Sequence, residues 1–250
     1  MKPILVIAKR ELGGYLTGPI GWICLVVFTL IAALFYNVVL VQIANQSMQL
    51  GMEEGLTEGV VQGFFGNLTV IGLLLIPAVT MGLIAQDRRE RSIELLLTSP
   101  VSSLQITLGK YFGALAFVLV MISTTLYLPA MMYWMGEPDG GVMLASYGSF
   151  TLLMAVFVAI GLFASSVTDN QLVALAMSFS LSLTLWIIGW FGAALGESSL
   201  GTILGHISML SHFDTMSGGV VHINDVVYFS STILFFLFAT TQRVEALRWR

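Results

Sequence analysis

At 250 residues, with 57% hydrophobic and only 10% charged residues and a mean hydropathy of +0.91, the chain is too apolar for a water-soluble domain, where about 25% of residues are charged. Its formal net charge of −4 averages two faces of opposite sign, so it identifies no partner, and nothing in it supports nucleic-acid binding. The single cysteine, Cys24, excludes an intrachain disulfide or a cysteine metal cluster and is expected as small apolar filler.

Residues 1–19 set Ile4, Leu5, Ala8 and Leu12 against Lys2, Lys9, Arg10 and Glu11. At helical spacing this gives an amphipathic elbow helix with those four apolar residues as its membrane face, the alternative being a frayed polar leader. Gly13, Gly14, Gly18 and Pro19 then permit a sharp turn into the bilayer.

A bilayer core of about 30 Å needs about 20 apolar residues of helix. Six stretches meet or approach that length, near 20–43, 66–86, 112–134, 146–166, 172–195 and 224–242, and predict an all-α polytopic membrane protein forming one domain over 1–250. The first follows Lys9 and Arg10 as a signal peptide would. Its apolar run is too long for an h-region and no A-x-A-like cleavage site follows, so it is expected to be retained. Between the first two spans, 44–65 is acidic and Gly-rich and reads as a loop or short helix. The segment 196–223 is long and nearly uncharged, and either returns partway into the membrane or lies on its surface; at depth its backbone must be helical or covered by protein. The last span is the weakest, because its uninterrupted apolar run is only long enough to cross with help from flanking residues or local thinning.

All ten Lys and Arg residues fall before span 1, between spans 2 and 3, or after span 6. Basic residues flanking spans are retained in the cytoplasm, so both termini and the segment 87–110 are expected there, in a bacterial inner membrane. None of the six cores carries an ionisable side chain in its middle. Ion-coupled carriers keep such groups at that depth, which argues against a secondary transporter.

The segment 87–110 concentrates the charge. Arg88, Arg89 and Arg91 precede Ile93, Leu96 and Leu97, which recur at helical spacing, and Arg91 can pair with Glu94 at i+3. Pro100 interrupts the helix, and Ser102 with Gln105 fits a capping box that starts the next one. On the residues alone, the unit is either a solvated hairpin anchored by positive charge or a docking element. The runs Pro77-Ala78-Val79-Thr80-Met81, Ile93-Glu94-Leu95-Leu96-Leu97-Thr98-Ser99-Pro100-Val101 and Leu108-Gly109-Lys110 resemble the permease subunits of ABC-2-type transporters, and within them are most similar to the gliding-motility-type permeases. Family members often have Gly-Thr where this chain has Arg91-Ser92.

The resemblance implies a cytoplasmic coupling helix between spans 2 and 3 that seats in a groove of a separate ATPase. Arg88, Arg89, Arg91, Glu94, Leu95, Leu96, Leu97, Thr98 and Pro100 would form that contact, with Gly109 and Lys110 at the entry of span 3. The chain has no G-x-x-x-x-G-K-[ST] loop and is not expected to be an enzyme. ATP and Mg²⁺ would be bound by a cytoplasmic ABC ATPase dimer, and this chain would hold no cofactor. One six-span copy is too small to form both halves of a channel, so a second copy is implied, or a sister permease with an extracytoplasmic auxiliary domain, all within membrane lipid. The alternative is a non-transporting scaffold or assembly factor that docks a cytoplasmic protein through the basic loop.

Small residues on the spans, Ser178, Ser182 and Gly189 on the fifth and Gly161, Ala164 and Ser165 on the fourth, are expected at helix packing contacts or a dimer interface. His206, His212 and His222 share an outward segment with Asp214 and Asp225, but their irregular spacing matches no metal-ligand pattern, and no metal is expected. A rhomboid-like protease also has six spans; the serine motif it needs is missing here.

Overall fold

A computed structural model of the chain describes residues 2–50, 56–90, 101–135, 138–196 and 198–248. These residues form eleven helices and no strand: α1 (Lys2–Thr17), α2 (Pro19–Leu50), α3 (Leu56–Thr80), α4 (Ala85–Arg89), α5 (Ser103–Ser123), α6 (Tyr127–Met135), α7 (Gly140–Val167), α8 (Gln171–Ala194), α9 (Ser199–Ile207), α10 (Met209–Ser217) and α11 (Ile223–Arg248). Six stretches of helix are long and apolar enough to cross a membrane, at Pro19–Gln42, Gly59–Arg89, Ser103–Trp134, Gly140–Val167, Gln171–Gly192 and Ile223–Arg248. The chain is therefore an all-α polytopic membrane protein.

The turn between α1 and the first span is closed by glycine. A Cβ at Gly21 would sit 2.0 Å from the Tyr15 carbonyl oxygen, and one at Gly18 would sit 2.8 Å from that of Gly14, so neither position admits a side chain without moving backbone. Pro19 opens α2 at a position where its missing N–H is not needed.

The fourth span is the centre of the bundle. Within α7 the run from Leu153 to Leu162 is buried almost without interruption, and the second, third, fifth and sixth spans pack around it. By contrast, Leu30, Leu34 and Val38 of span 1 and Trp190 and Phe191 of span 5 are exposed on the outside of the chain, as lipid- or partner-facing residues are.

Two spans are broken, and in each case a neighbouring span supplies the missing hydrogen bonds. In the third, the helix tightens over residues 124–126, where Thr124 N–H is shared between the carbonyls of Val120 and Met121 and Leu128 N–H reaches back only to Thr125. Pro129 cannot donate to the Thr125 carbonyl, and the Tyr147 hydroxyl of α7 donates to it instead at 3.0 Å. Thr29 and Thr124 join spans 1 and 3 through their hydroxyls at 2.9 Å. Interhelical bonds of this kind contribute about 0.6 kcal/mol each in membrane helices.

The third span begins earlier than the apolar run suggests, at Ser103 rather than near 112. Ser102 caps it in the expected box: its hydroxyl accepts from Gln105 N–H at 3.3 Å and its own N–H donates to Gln105 Oε1 at 3.1 Å. The segment after span 5 is helical. Ser208 ends α9 and caps α10, and Met209, Phe213 and Met216 of α10 are buried against the bundle.

Candidate functional site: the junction below the second span

At the end of the molecule that holds the start of α1 and the end of α11, the second span is broken. Pro77 bends α3, and after Thr80 the chain makes a turn through residues 81–84 before resuming as α4. The Ser165 hydroxyl of α7, itself buried, is inserted there. It accepts from the N–H groups of Ile84 and Ala85, each at 2.9 Å, and donates to the Met81 carbonyl at 2.9 Å. A side chain set into the i→i−4 ladder in this way gives a sharp, defined kink.

Beyond the kink, α4 is gripped from several directions by polar contacts. Asp87 Oδ2 lies 2.6 Å from Lys110 Nζ on span 3, and the same Nζ lies 2.9 Å from Glu11 Oε1 on α1. Arg10 completes the cluster, 2.9 Å from Glu11 and 3.9 Å from Asp87. The Glu11 carboxylate beside it raises the Arg10 guanidinium above its ordinary range. Lys110 is among the most deeply buried side chains of the protein, at 2% side-chain exposure. A buried ammonium is tolerable only when paired and hydrogen-bonded, and here two carboxylates face it. Arg88 donates to the Ser166 carbonyl at 3.1 Å, and Gln86 contacts Gln171 at the start of α8.

The elbow helix belongs to the same junction. A Cβ at Gly109 would meet Ile7 Cβ at 2.7 Å, and one at Gly113 would meet Glu11 Cβ at 2.6 Å and the Ala8 carbonyl at 2.9 Å. Two glycines four apart on one face thus let α1 lie directly on span 3. Tyr15 stacks on Phe117 at 4.8 Å and donates its hydroxyl to the Val79 carbonyl at 2.8 Å. Of the four residues expected on a membrane face, Leu5 is exposed at 69%. Ile4, Ala8 and Leu12 are instead half-buried on the protein side, because the glycine pair draws that side of α1 inward.

On the far side, Ser103 donates to Glu245 of α11, and Arg248 donates to the Val101 carbonyl at 3.3 Å. A cavity of about 420 Å³ opens beside the junction between the elbow turn and the kink, lined by Glu11, Tyr15, Gly18, Met81, Gln86 and Gln171. On that side α4 is held by polar contacts rather than by a filled core.

Of the residues assigned to coupling, Arg88 is bonded as described and Arg89 is exposed at the end of α4. Arg91, Glu94, Leu95, Leu96, Leu97, Thr98 and Pro100 lie outside the described residues. Ser178 and Ser182 are buried inside the chain, Ser178 against Gly161 and Thr80, while a Cβ at Gly189 would meet Ser208 Oγ at 2.2 Å. His206, His212 and His222 gather with Asp225 around an open cavity at the opposite end of the molecule. Among the described residues no group of three or more His, Cys, Asp or Glu side chains could hold a metal ion.

Sequence reasoning passed over the ion cluster itself. Glu11 and Asp87 stand far from Lys110 along the chain, and only the Gly109–Gly113 spacing hinted that another helix lies on that face.

Fold and junction together define a helical membrane domain whose polar end is built around α4, at the end of the second span. Residues 5–244 match the family model described as ABC-2 family transporter protein, and the chain belongs to that family. It is a membrane permease component, distinct from the ATPase of such systems. No curated protein matches the chain.

Proposed function

We propose that the chain is the membrane subunit of an ATP-driven ABC-2 transporter, and that the junction around Lys110 transmits ATPase motion to the spans. The observation that carries this is the position of α4. It bears the Arg88 to Pro100 segment and is tied at once to α1, span 3, span 4 and span 5 through Asp87, Arg88 and Gln86. A displacement of that segment is delivered to spans 3 and 4 through the charge-assisted contacts of Asp87 and Arg88, and to α1 and span 5 through the longer contacts Arg10–Asp87 and Gln86–Gln171, rather than dissipated in a flexible linker. The Ser165-held kink supplies the pivot.

In this reading both termini and the junction face the cytoplasm of a bacterium, as the basic residues favour. A dimeric ABC ATPase binds ATP and Mg²⁺ and receives Arg88, Arg89, Arg91, Glu94, Leu95, Leu96, Leu97, Thr98 and Pro100. The exposed apolar faces of spans 1 and 5 then meet lipid and a second permease. That second permease is another copy or a sister subunit with an extracytoplasmic auxiliary domain, as in the gliding-motility-type systems the sequence resembles. The substrate is exported or extracted through the pair. Family membership does not favour the scaffold alternative.

The test is to purify the tagged chain from its native membranes in mild detergent and identify its companions by mass spectrometry. A P-loop ATPase in near-equal amount, with ATP hydrolysis in the same fraction, is the expected result. Intact chain with no such ATPase would remove the main support for coupling.

A further inference from the structure

His212 occupies the end of the molecule opposite the junction, where α9, α10 and the start of span 6 meet. Its Nδ1 lies 2.6 Å from Asp225 Oδ1 on α11, and its Nε2 lies 3.1 Å from the His206 carbonyl oxygen at the end of α9. The ring is stacked on Tyr228 of α11 at 4.2 Å and 22°, and the Tyr228 hydroxyl donates to the Ile207 carbonyl. One imidazole therefore bridges three helices.

Both atoms facing the ring nitrogens are acceptors. A neutral imidazole has one N–H, so it can satisfy only one of them and turns a lone pair toward the other; the imidazolium satisfies both. Asp225 sharpens the dependence. It is 5% exposed, and its Oδ2 has no hydrogen-bond partner among the described residues, so compensation of the carboxylate rests on His212.

Among the described residues, His206 and His222 are the other groups lining this cavity that can carry positive charge. The helices packed on α10 are α3, α7, α8, α9 and α11. Helices α7 and α8 contain no Asp, Glu, Lys, Arg or His, with Tyr147 the titratable group of α7. Helix α3 contains no Asp, Glu, Lys, Arg or His from Gly59 to Thr80, and α9 contains only His206. His222 lines the same open cavity of about 470 Å³, Asp214 on α10 is exposed, and the arginines of α11 lie at its other end.

We infer that His212 is a proton-operated latch: protonated, it pins the α9–α10 pair to the head of span 6, and deprotonated, it releases that pair. The latch stands on its own geometry. That it answers to pH outside the cell rests on the orientation proposed above.

Spin labels at Leu200→Cys on α9 and Val227→Cys on α11, both exposed positions, in a Cys24→Ala background report the separation by pulsed electron resonance. The full chain in detergent suffices and no ATPase is needed, so failure here leaves the permease reading standing. Between pH 5.5 and 8.5, the range in which imidazoles change charge, the separated population should rise about tenfold, the scale of one lost charge-assisted hydrogen bond. His212→Gln, which can still donate to Asp225 but cannot titrate, should abolish the response, and Asp225→Asn should do the same. His206→Gln and His222→Gln should keep it. A pH response that persists in His212→Gln, one that vanishes in His206→Gln or His222→Gln, or a flat profile in the parent protein overturns the latch.

Discussion

Replacing Lys110 by Met keeps the length of the side chain and its apolar stem but deletes the charge that Glu11 and Asp87 share. Removing one partner of a buried ion pair costs about 3–5 kcal/mol. Glu11 and Asp87 keep 16% and 17% side-chain exposure, and Arg10 remains within 2.9 Å and 3.9 Å of them. Water and Arg10 relieve part of the penalty, which places the loss near the lower end, about 3 kcal/mol. At about 1.4 kcal/mol per factor of ten, that is roughly a 150-fold shift against the docked state of α1 and α4. For a chain of this size it corresponds to a fall in Tm of about 6–12 °C. Thermal unfolding in detergent measures the second quantity, and protease access to α1 measures the first. A triple substitution, Lys110→Met with Glu11→Gln and Asp87→Asn, should recover most of the loss, because a neutral cluster leaves no charge uncompensated. A loss of less than about 1 kcal/mol in Lys110→Met, or a triple variant no more stable than the single one, would show that the buried ammonium is not what holds α1 and α4 in place.

Gly113→Leu should detach α1 from span 3, since even a Cβ there meets Ala8 and Glu11, and cross-linking between α1 and span 3 should fall while the six spans stay inserted. Ser165→Ala leaves two N–H groups and one carbonyl of the kink without their partner. It should cost about 2–3 kcal/mol in thermal unfolding, against under about 1 kcal/mol for Ser166→Ala, whose hydroxyl bonds only within its own helix. Tyr147→Phe removes the interhelical donor to the Thr125 carbonyl while Leu128 N–H still bonds it, and should lower stability by only about 0.6 kcal/mol, read the same way.

The six spans were legible because each is a long apolar run, and the caps at Ser102 and the turn at Gly18 because local chemistry fixes them. The helix through Lys110 is legible from the capping box at Ser102, although the apolar run by itself starts only near 112; what the sequence does not carry is the pairing of Lys110 with Glu11 and Asp87, which lets a charge lie buried inside that helix. Such pairing joins residues from three separate elements, and single-sequence periodicity carries no trace of it. The face of α1 was misplaced for the same reason: Ile4 and Ala8 look lipid-facing until the glycines of span 3 are brought against them. Ser165 was noticed as a small residue at a packing contact. Its role as the inserted hydroxyl follows only from the break at residues 81–84, which Pro77 foreshadows but does not locate.

In the proposed mechanism the segment that follows α4 couples the spans to a separate ATPase. The ATP hydrolysis rate of the purified complex in lipid tests this coupling when compared between the parent chain and Glu94→Ala or Pro100→Ala, with ATPase retention quantified in each sample. Coupling predicts that stimulation of hydrolysis is lost in these variants while the spans remain folded. An unchanged rate, with the ATPase still bound, would contradict it and leave the segment as a scaffold contact.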